Sequence, residues 1–369
     1  MKTACSLLWL FFPAAGLAAD GLVADEPAYG EWDFAAQKVW ERERAGEEAF
    51  GRPAELRLTP DETLCFHDFD KQVSYIFDRD GGLVRAFGSQ GRGPGEVSRY
   101  INCFTVGDKI VVGTPDTLEY FSKGGEFVRS VRNDLFARFP LVFLDEDEFL
   151  CVPGGPHETR GGKERILRRN VRTAAETEFA VLRVSSREGG QAGGAVVLGL
   201  TPQVRITHDP QTGEIYCGRN DKYAIHVFDS SGELLRNFGL KRAKVRVTDE
   251  TKMEYLESLG MPKGRREALA RSLPDKLACY YHIQVNDGLI YVFAVTGLDR
   301  RPSSQRIDVF RPDGTYLYRG RIGFEDGRHI YSSPENLAIR NDRLYVILED
   351  DAGKKTLAKY QVTLPKDDA

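Results

Sequence analysis

A Phe, three turn-forming residues, a Gly and then an apolar strand carrying Arg recur four times along this chain. The copies are Phe77-Asp78-Arg79-Asp80-Gly81 before Leu83-Val84-Arg85, and Phe121-Ser122-Lys123-Gly124-Gly125 before Phe127-Val128-Arg129. Then come Phe228-Asp229-Ser230-Ser231-Gly232 before Leu234-Leu235-Arg236, and Phe310-Arg311-Pro312-Asp313-Gly314 before Tyr316-Leu317-Tyr318-Arg319. Each copy reads as a β-hairpin, because alternating strands flank a stretch in which Asp, Ser or Gly supplies the tight-turn backbone. A repeated hairpin limits the chain to architectures that stack one supersecondary unit many times.

A second strand pair precedes each hairpin. Leu56-Arg57-Leu58 turns into Leu64-Cys65-Phe66, and Phe104-Thr105-Val106 into Ile110-Val111-Val112. Val204-Arg205-Ile206 turns into Ile215-Tyr216-Cys217, and Ile283-Gln284-Val285 into Ile290-Tyr291-Val292. Two further pairs, Val142-Phe143-Leu144 with Phe149-Leu150-Cys151 and Leu337-Ala338-Ile339 with Leu344-Tyr345-Val346, lack the Phe-turn-Gly signature. Two hairpins make a four-stranded antiparallel unit of roughly forty residues, the size of a propeller blade. Starts near 53, 99, 139, 202, 280 and 334 predict six such blades. The last has only three strands, while Ala36 to Arg42 alternates like a strand and has no partner of its own. If that segment is the missing outer strand, the ring closes from both ends of the chain and the seam has no open edge.

Two stretches interrupt the pattern. Residues 154–164 lengthen a loop of the third unit, and Gly189 to Gly194 links it to the fourth. Residues 243–277, between the fourth and fifth blades, carry two helical patterns: Met253 to Glu257 behind the cap Thr248-Asp249-Glu250, and Arg265 to Ala270 ahead of Pro274. An excursion of this length reads as a lid or partner surface.

The N-terminus has the form of a secretory signal: Lys2, an apolar run from Leu7 to Phe12, and Gly16-Leu17-Ala18 as a small-residue cleavage site. The expected organisation is a signal peptide at 1–18, an extension at 19–35, a propeller over 36–364 and a tail at 365–369. The expected destination is the periplasm or the extracellular medium. After cleavage Cys65, Cys103, Cys151, Cys217 and Cys279 remain, an odd and widely spaced set that makes no zinc or disulfide framework. Cys65, Cys151 and Cys217 occupy the same place in what reads as an inner strand, as small buried apolar residues. With 51 basic and 55 acidic residues interspersed, the chain has no basic field for nucleic acid and no cationic face for a membrane.

The stretch Phe87-Gly88-Ser89-Gln90-Gly91-Arg92-Gly93-Pro94-Gly95-Glu96, the hairpin repeats and the helical excursion before the fifth blade together resemble a bacterial family of six-bladed β-propellers. That family is related to the NHL-repeat propellers and consists largely of exported proteins of unknown function. The resemblance implies an all-β propeller and carries no catalytic residues with it.

Gly91-Arg92-Gly93-Pro94-Gly95 has the glycines of a phosphate cradle, but no helix follows and no Gly-Lys-Ser/Thr is present. It reads as a rigid crossover between the first two blades, with Arg92 facing a ligand or solvent. Aligning the inner strands places Glu55, Cys103, Leu141, Gln203, His282 and Asn336 at one position near the mouth of the channel. Arg99, Tyr100, Arg219, Tyr281, His329 and Tyr331 lie on the same rim. The candidate ligand-binding set is therefore Glu55, Arg92, Arg99, Tyr100, Gln203, Arg219, Tyr281, His282, His329 and Asn336, a mixed polar and aromatic concavity. No cofactor is indicated, although Glu55, His282 and Asn336 are the residues that could hold calcium or another divalent ion in the channel. The sequence has no nucleophile elbow and no His-Glu-x-x-His pattern. The expected function is binding of a small molecule, glycan or protein through the loop face. The alternatives are a metal-assisted, lactonase-like hydrolase or lyase at the channel mouth, and a purely structural scaffold.

Overall fold

A computed structural model of the chain describes residues 21–134, 138–153, 163–183, 197, 199–299, 302–324, 327–331 and 336–365. The signal segment, nearly all of the 154–164 loop and the 189–194 link lie outside the described residues.

The chain is a six-bladed β-propeller of four-stranded antiparallel blades. Blade 1 runs from the channel outward as Pro53–Leu58, Leu64–Asp68, Val73–Phe77 and Leu83–Phe87; blade 2 as Asn102–Val106, Lys109–Gly113, Thr117–Ser122 and Phe127–Arg132. Blade 3 is Arg138–Phe143, Glu148–Pro153, Lys163–Asn170 and Glu176–Arg183, and blade 4 is Val204–His208, Ile215–Arg219, Ala224–Phe228 and Leu234–Leu240. Blade 5 is Tyr280–Asn286, Leu289–Ala294, Ser304–Phe310 and Tyr316–Gly323. Blade 6 takes Leu337–Arg340, Arg343–Glu349 and Lys355–Gln361 from the C-terminal end and Gln37–Arg42 from the N-terminal end. Each inner strand touches the inner strand of the next blade, and the last touches the first, so the ring is closed.

Strand periodicity of two sends alternate side chains to opposite faces of a blade, and each face meets a neighbour. Six apolar clusters fill the six interfaces. Between blades 1 and 2, for example, lie Cys65, Ile76, Phe87, Cys103, Ile110 and Phe121; at the seam, Phe66, Phe77, Tyr345 and Leu357 close blade 6 onto blade 1. Cys65, Cys151 and Cys217 are buried as expected, but on second strands rather than the innermost.

The recurring motif has a double cause. In all four hairpins the ladder shifts register at the Phe, and the Gly has positive φ: +80° at Gly81, +78° at Gly125, +93° at Gly232 and +94° at Gly314. These turns also press against the preceding blade. A Cβ on Gly314 would lie 2.5 Å from the Cβ of Phe238 in blade 4, and one on Gly81 would lie 3.0 Å from the indole of Trp40. In the first, second and fourth blades the Arg of the motif reaches in the opposite sense, to the next blade. Arg236 Nε donates to the Pro312 carbonyl at 2.6 Å, and Arg129 Nη2 to the Glu146 carbonyl at 2.9 Å. At the seam, Arg42 of the N-terminal strand does the same, its Nε donating to the Gly81 carbonyl at 2.8 Å, while Trp40 Nε1 donates to the Arg79 carbonyl at 3.1 Å. The closing strand thus supplies a missing pairing edge and a blade-to-blade tie.

The N-terminal segment reaches this seam along the rim. Leu22–Val23 adds a parallel strand outside blade 4 and Glu31–Asp33 another outside blade 5, before Gln37–Arg42 enters blade 6. Asp25, in this belt, accepts from Arg242 Nε at 2.7 Å and Arg319 Nη2 at 2.9 Å. Arg242 in turn binds Asp308, which is fully buried and also accepts from the hydroxyls of Tyr223 and Tyr316 at 2.6 and 2.7 Å. Burial opposes ionisation of Asp308, yet the Arg242 guanidinium holds its carboxyl below the usual range.

The excursion folds as α1 (Asp249–Ser258) and α2 (Lys263–Ser272), and the Thr248 side chain caps α1 by accepting from Thr251 N. Lys252 of α1 is buried and donates to Asp275 at 2.5 Å and to the Leu273 carbonyl at 3.2 Å, which locks the helix to the chain after α2. Leu256, Leu269, Leu273 and Leu277 pack with Leu200, Val295 and Tyr281, at the end of blade 5 where crossovers enter. The helices therefore stand beside the channel mouth on the crossover face.

Candidate functional site

Two of the four polar residues aligned at the mouth, Glu55 and Asn336, are consumed in joining neighbouring blades. In blades 1, 3 and 5 the inner strand bulges near this level, with register shifts between Ala54 and Arg57, Pro140 and Val142, and Tyr280 and His282. A bulge redirects side chains. Glu55, at φ +59°, points its carboxylate to blade 2, where it accepts from the Tyr100 hydroxyl at 2.8 Å and Cys103 N at 2.9 Å. Tyr100 stacks on His67 with centroids 3.9 Å apart. His67 is buried, pairs through Nδ1 with Ser74 Oγ at 3.1 Å, and burial pulls its pKa down to about 4. It is therefore a neutral ring at neutral pH.

Asn336 binds blade 6 to blade 1: Leu56 N donates to its Oδ1 at 3.4 Å, and its Nδ2 donates to the Tyr331 carbonyl at 2.8 Å. His329 Nε2 meets Glu349 Oε2 at 3.1 Å in a buried pair, and the His282 ring lies 5.7 Å from that of Phe293. Glu55, His282 and Asn336 thus serve three different contacts, and among the described residues no group of three or more His, Cys, Asp or Glu is arranged to hold a metal. On the first crossover, Glu96 folds back so that its Oε2 accepts from Gly93 N at 2.7 Å, and Val97 N donates to the Ser89 carbonyl at 2.9 Å. With Gly91 N donating to the Val97 carbonyl and Glu96 N to the Gly93 carbonyl, these bonds tie the loop to itself. Arg92 and Arg99 are exposed on it.

The arrangement with chemical potential lies where blades 3, 4 and 5 meet the helices. Arg219, at the crossover end of the second strand of blade 4, is buried and donates from Nη1 to Glu164 Oε2 of blade 3 at 2.5 Å. Asp221 Oδ1 is 3.6 Å from Arg219 Nε. Burial raises the Glu164 carboxyl to about 7 against the pull of Arg219, and raises Asp221 against Arg219, Lys244 and Lys222. Burial is the stronger effect at both because one guanidinium must serve two carboxylates. Between them, Asn220 stitches three segments: its Oδ1 accepts from Gln203 N at 2.7 Å, its Nδ2 donates to the Tyr280 carbonyl at 2.8 Å, and its own carbonyl accepts from Cys279 N at 2.7 Å.

Asp221 also forms a wall of a small, open notch between blade 4 and the helical excursion. Leu200, Pro202, Pro274, Leu277 and Ala278 give it an apolar lining, and Lys244 and Lys276 also line it. Of the residues expected at the site, Gln203, Arg219 and Tyr281 border this region, where Tyr281 packs into the helical core. Glu164, Asp221, Lys244 and Lys276 escaped the sequence reading. Glu164 and Asp221 sit in ordinary charged runs, and only the folded ring brings them to one arginine.

No family model and no curated protein matches this chain. Solved structures do. A member of the DUF4221 family from Bacteroides vulgatus superposes with a TM-score of 0.56 at 11% identity, covering 89% of this chain and 98% of its own. A Bacteroides fragilis protein named as a candidate for export gives 0.53 at 10% identity over 92% of this chain and 99% of its own. At such identities the likeness is one of fold, and it agrees with the six-bladed ring.

Proposed function

We propose that this protein is an exported binding module that takes a peptide segment of a protein partner at the notch between blade 4 and the helices. The observation that carries this reading is the composition of the notch: an apolar floor, Lys244 and Lys276, and the buried Asp221–Arg219–Glu164 chain behind one wall. Sites that enclose a drug-sized ligand run to roughly 300–1,000 Å³. This notch, open to solvent and with interior room for little more than a water-sized group, falls far below that range and suits only the tip of one side chain or chain end of a larger partner. Two lysines against one aspartate in the lining favour an anionic group beside an apolar one, such as a carboxylate next to an apolar side chain. The hydrogen-bonded frame around Asn220 favours a preformed site with little ordering cost on binding. Likeness in fold to a protein named as a candidate for export supports the exported location.

A thermal-shift screen with short peptides that end in an apolar residue and a free carboxylate tests the reading, because a ligand that binds only the folded state raises the melting temperature. Peptides with an amidated end should lose the shift. A shift indifferent to amidation would remove the carboxylate from the account, and no shift with any peptide would remove the notch.

A further inference from the structure

Val245 to Val247, ahead of α1, runs antiparallel to Asp275 to Leu277, behind α2. Val247 N donates to the Asp275 carbonyl at 2.9 Å, and Leu277 N to the Val245 carbonyl at 3.0 Å. These bonds flank Arg246 and Lys276, which are therefore directly opposed as a non-hydrogen-bonded pair. In such a pair the Cα atoms stand about 4.5 Å apart and the side chains leave on one face, the closest approach a ladder offers. Like charges at directly opposed positions cost stability. Arg246 and Lys276 are exposed, and among the described residues neither side chain has an ion-pair or hydrogen-bond partner. The acids on these segments are engaged elsewhere: Lys252 Nζ donates to Asp275 at 2.5 Å and to Asp249 at 3.1 Å, and Asp221 lies against Arg219. Lys276 also lines the notch, together with Lys244, two residues before Arg246. The cationic pair thus begins at the notch and leads away from it.

We propose, on the basis that the notch holds a partner's chain end, that Arg246 and Lys276 bind an acidic side chain of that same partner segment. Alternate residues of an extended peptide point to one side, roughly 7 Å apart, which sets the acidic residue two positions before the end. Its carboxylate offsets the repulsion between the two cations, and the planar guanidinium of Arg246 can hold it through two parallel N–H groups. The partner is then an acidic peptide segment with an apolar last residue, and the pair contributes to its selection over a neutral one.

The test uses two pentapeptides that end in leucine with a free carboxylate and differ only two positions before the end, in glutamate or glutamine. Isothermal titration calorimetry with the natural chain should show the glutamate peptide bound roughly fivefold more tightly, the scale of an exposed ion pair. That ratio should shrink as salt is raised. In Arg246→Gln the ratio of the two affinities should fall towards one. Equal affinity of the natural chain for both peptides would overturn the inference and leave the notch reading standing, whereas failure of both to bind would overturn the two together. Binding of polygalacturonate with neither peptide bound would also overturn it, and would assign the cationic pair to an acidic glycan. Should Arg246→Gln fail to fold, the ratio and its salt dependence in the natural chain decide the matter.

Discussion

Arg219 of blade 4 and Glu164 of blade 3 form a buried interblade ion pair, with Nη1 2.5 Å from Oε2. The Oε1 atom of Glu164 has no hydrogen-bond partner among the described residues. The pair stands directly behind the wall of the proposed site, so its protonation couples the stability of the ring to the state of the notch.

Glu164 makes stability depend on pH. Its carboxyl is raised from 4.5 to about 7 in the folded chain, so the folded state binds the proton more tightly than the unfolded state. Its contribution therefore favours folding most below pH 4.5 and is lost as pH rises towards 7 and above, by an amount on the order of 3 kcal/mol. Glu164→Gln, which keeps an acceptor for Arg219, should remove this dependence. Melting temperatures of the two proteins between pH 4.5 and 8 check it: relative to the variant, the natural chain should lose stability as pH rises.

Asp308 holds Arg242, Tyr223 and Tyr316 without exposure to solvent. Removing one partner of a buried pair leaves an uncompensated charge, which costs roughly 3–5 kcal/mol. Asp308→Ala should fall in that range by urea denaturation. Asp25→Ala should cost less, since the Asp25 side chain is 28% exposed and its removal leaves Arg242 paired with Asp308.

The hairpin glycines separate two effects. Gly213 has φ +74° and open space where a Cβ would stand, whereas Gly314 has φ +94° and the Cβ of Phe238 at 2.5 Å. Gly213→Ala should cost about 1–2 kcal/mol for backbone strain alone. Gly314→Ala should cost a further 1–3 kcal/mol or so for overpacking. Chemical denaturation of the two variants gives the comparison.

At the seam, Trp40 packs on Gly81, and Trp40 and Arg42 donate to carbonyls of blade 1. A chain lacking residues 21–42 should expose the outer edge of Lys355–Gln361 and associate between copies, because an unpaired edge templates further pairing. Light scattering of the shortened chain would show this, and a monomer of undiminished stability would argue against closure by the strand.

The blades were legible because their cause is local. Phe, Asp or Ser, and Gly occupy fixed places in each hairpin, and the bulge and positive φ that require them involve only a few neighbours. The closing strand could be read from the arithmetic of strands, since blade 6 lacked one and Ala36 to Arg42 had no partner. Leu22–Val23 and Glu31–Asp33 could not be read, as pairings of two and three residues leave no period to detect. The mouth was harder for a different reason. The alignment found residues at one level of the ring, but bulges at Glu55, Leu141 and Tyr281 turn neighbouring positions towards different partners. The notch is lined from blade 4, its entry and the excursion, and the ion pair behind its wall reaches blade 3, through contacts no sequence spacing encodes.

The most direct test of the binding account is isothermal titration calorimetry of an apolar peptide with a free terminal carboxylate, against the natural chain and against Lys244→Ala/Lys276→Ala. The account predicts saturable binding to the natural chain and at least a tenfold rise in Kd for the double variant, about 1.4 kcal/mol. Melting temperatures of both proteins are measured alongside, because Lys244 supports the charge of the buried Asp221. Equal affinity for the two proteins would contradict it.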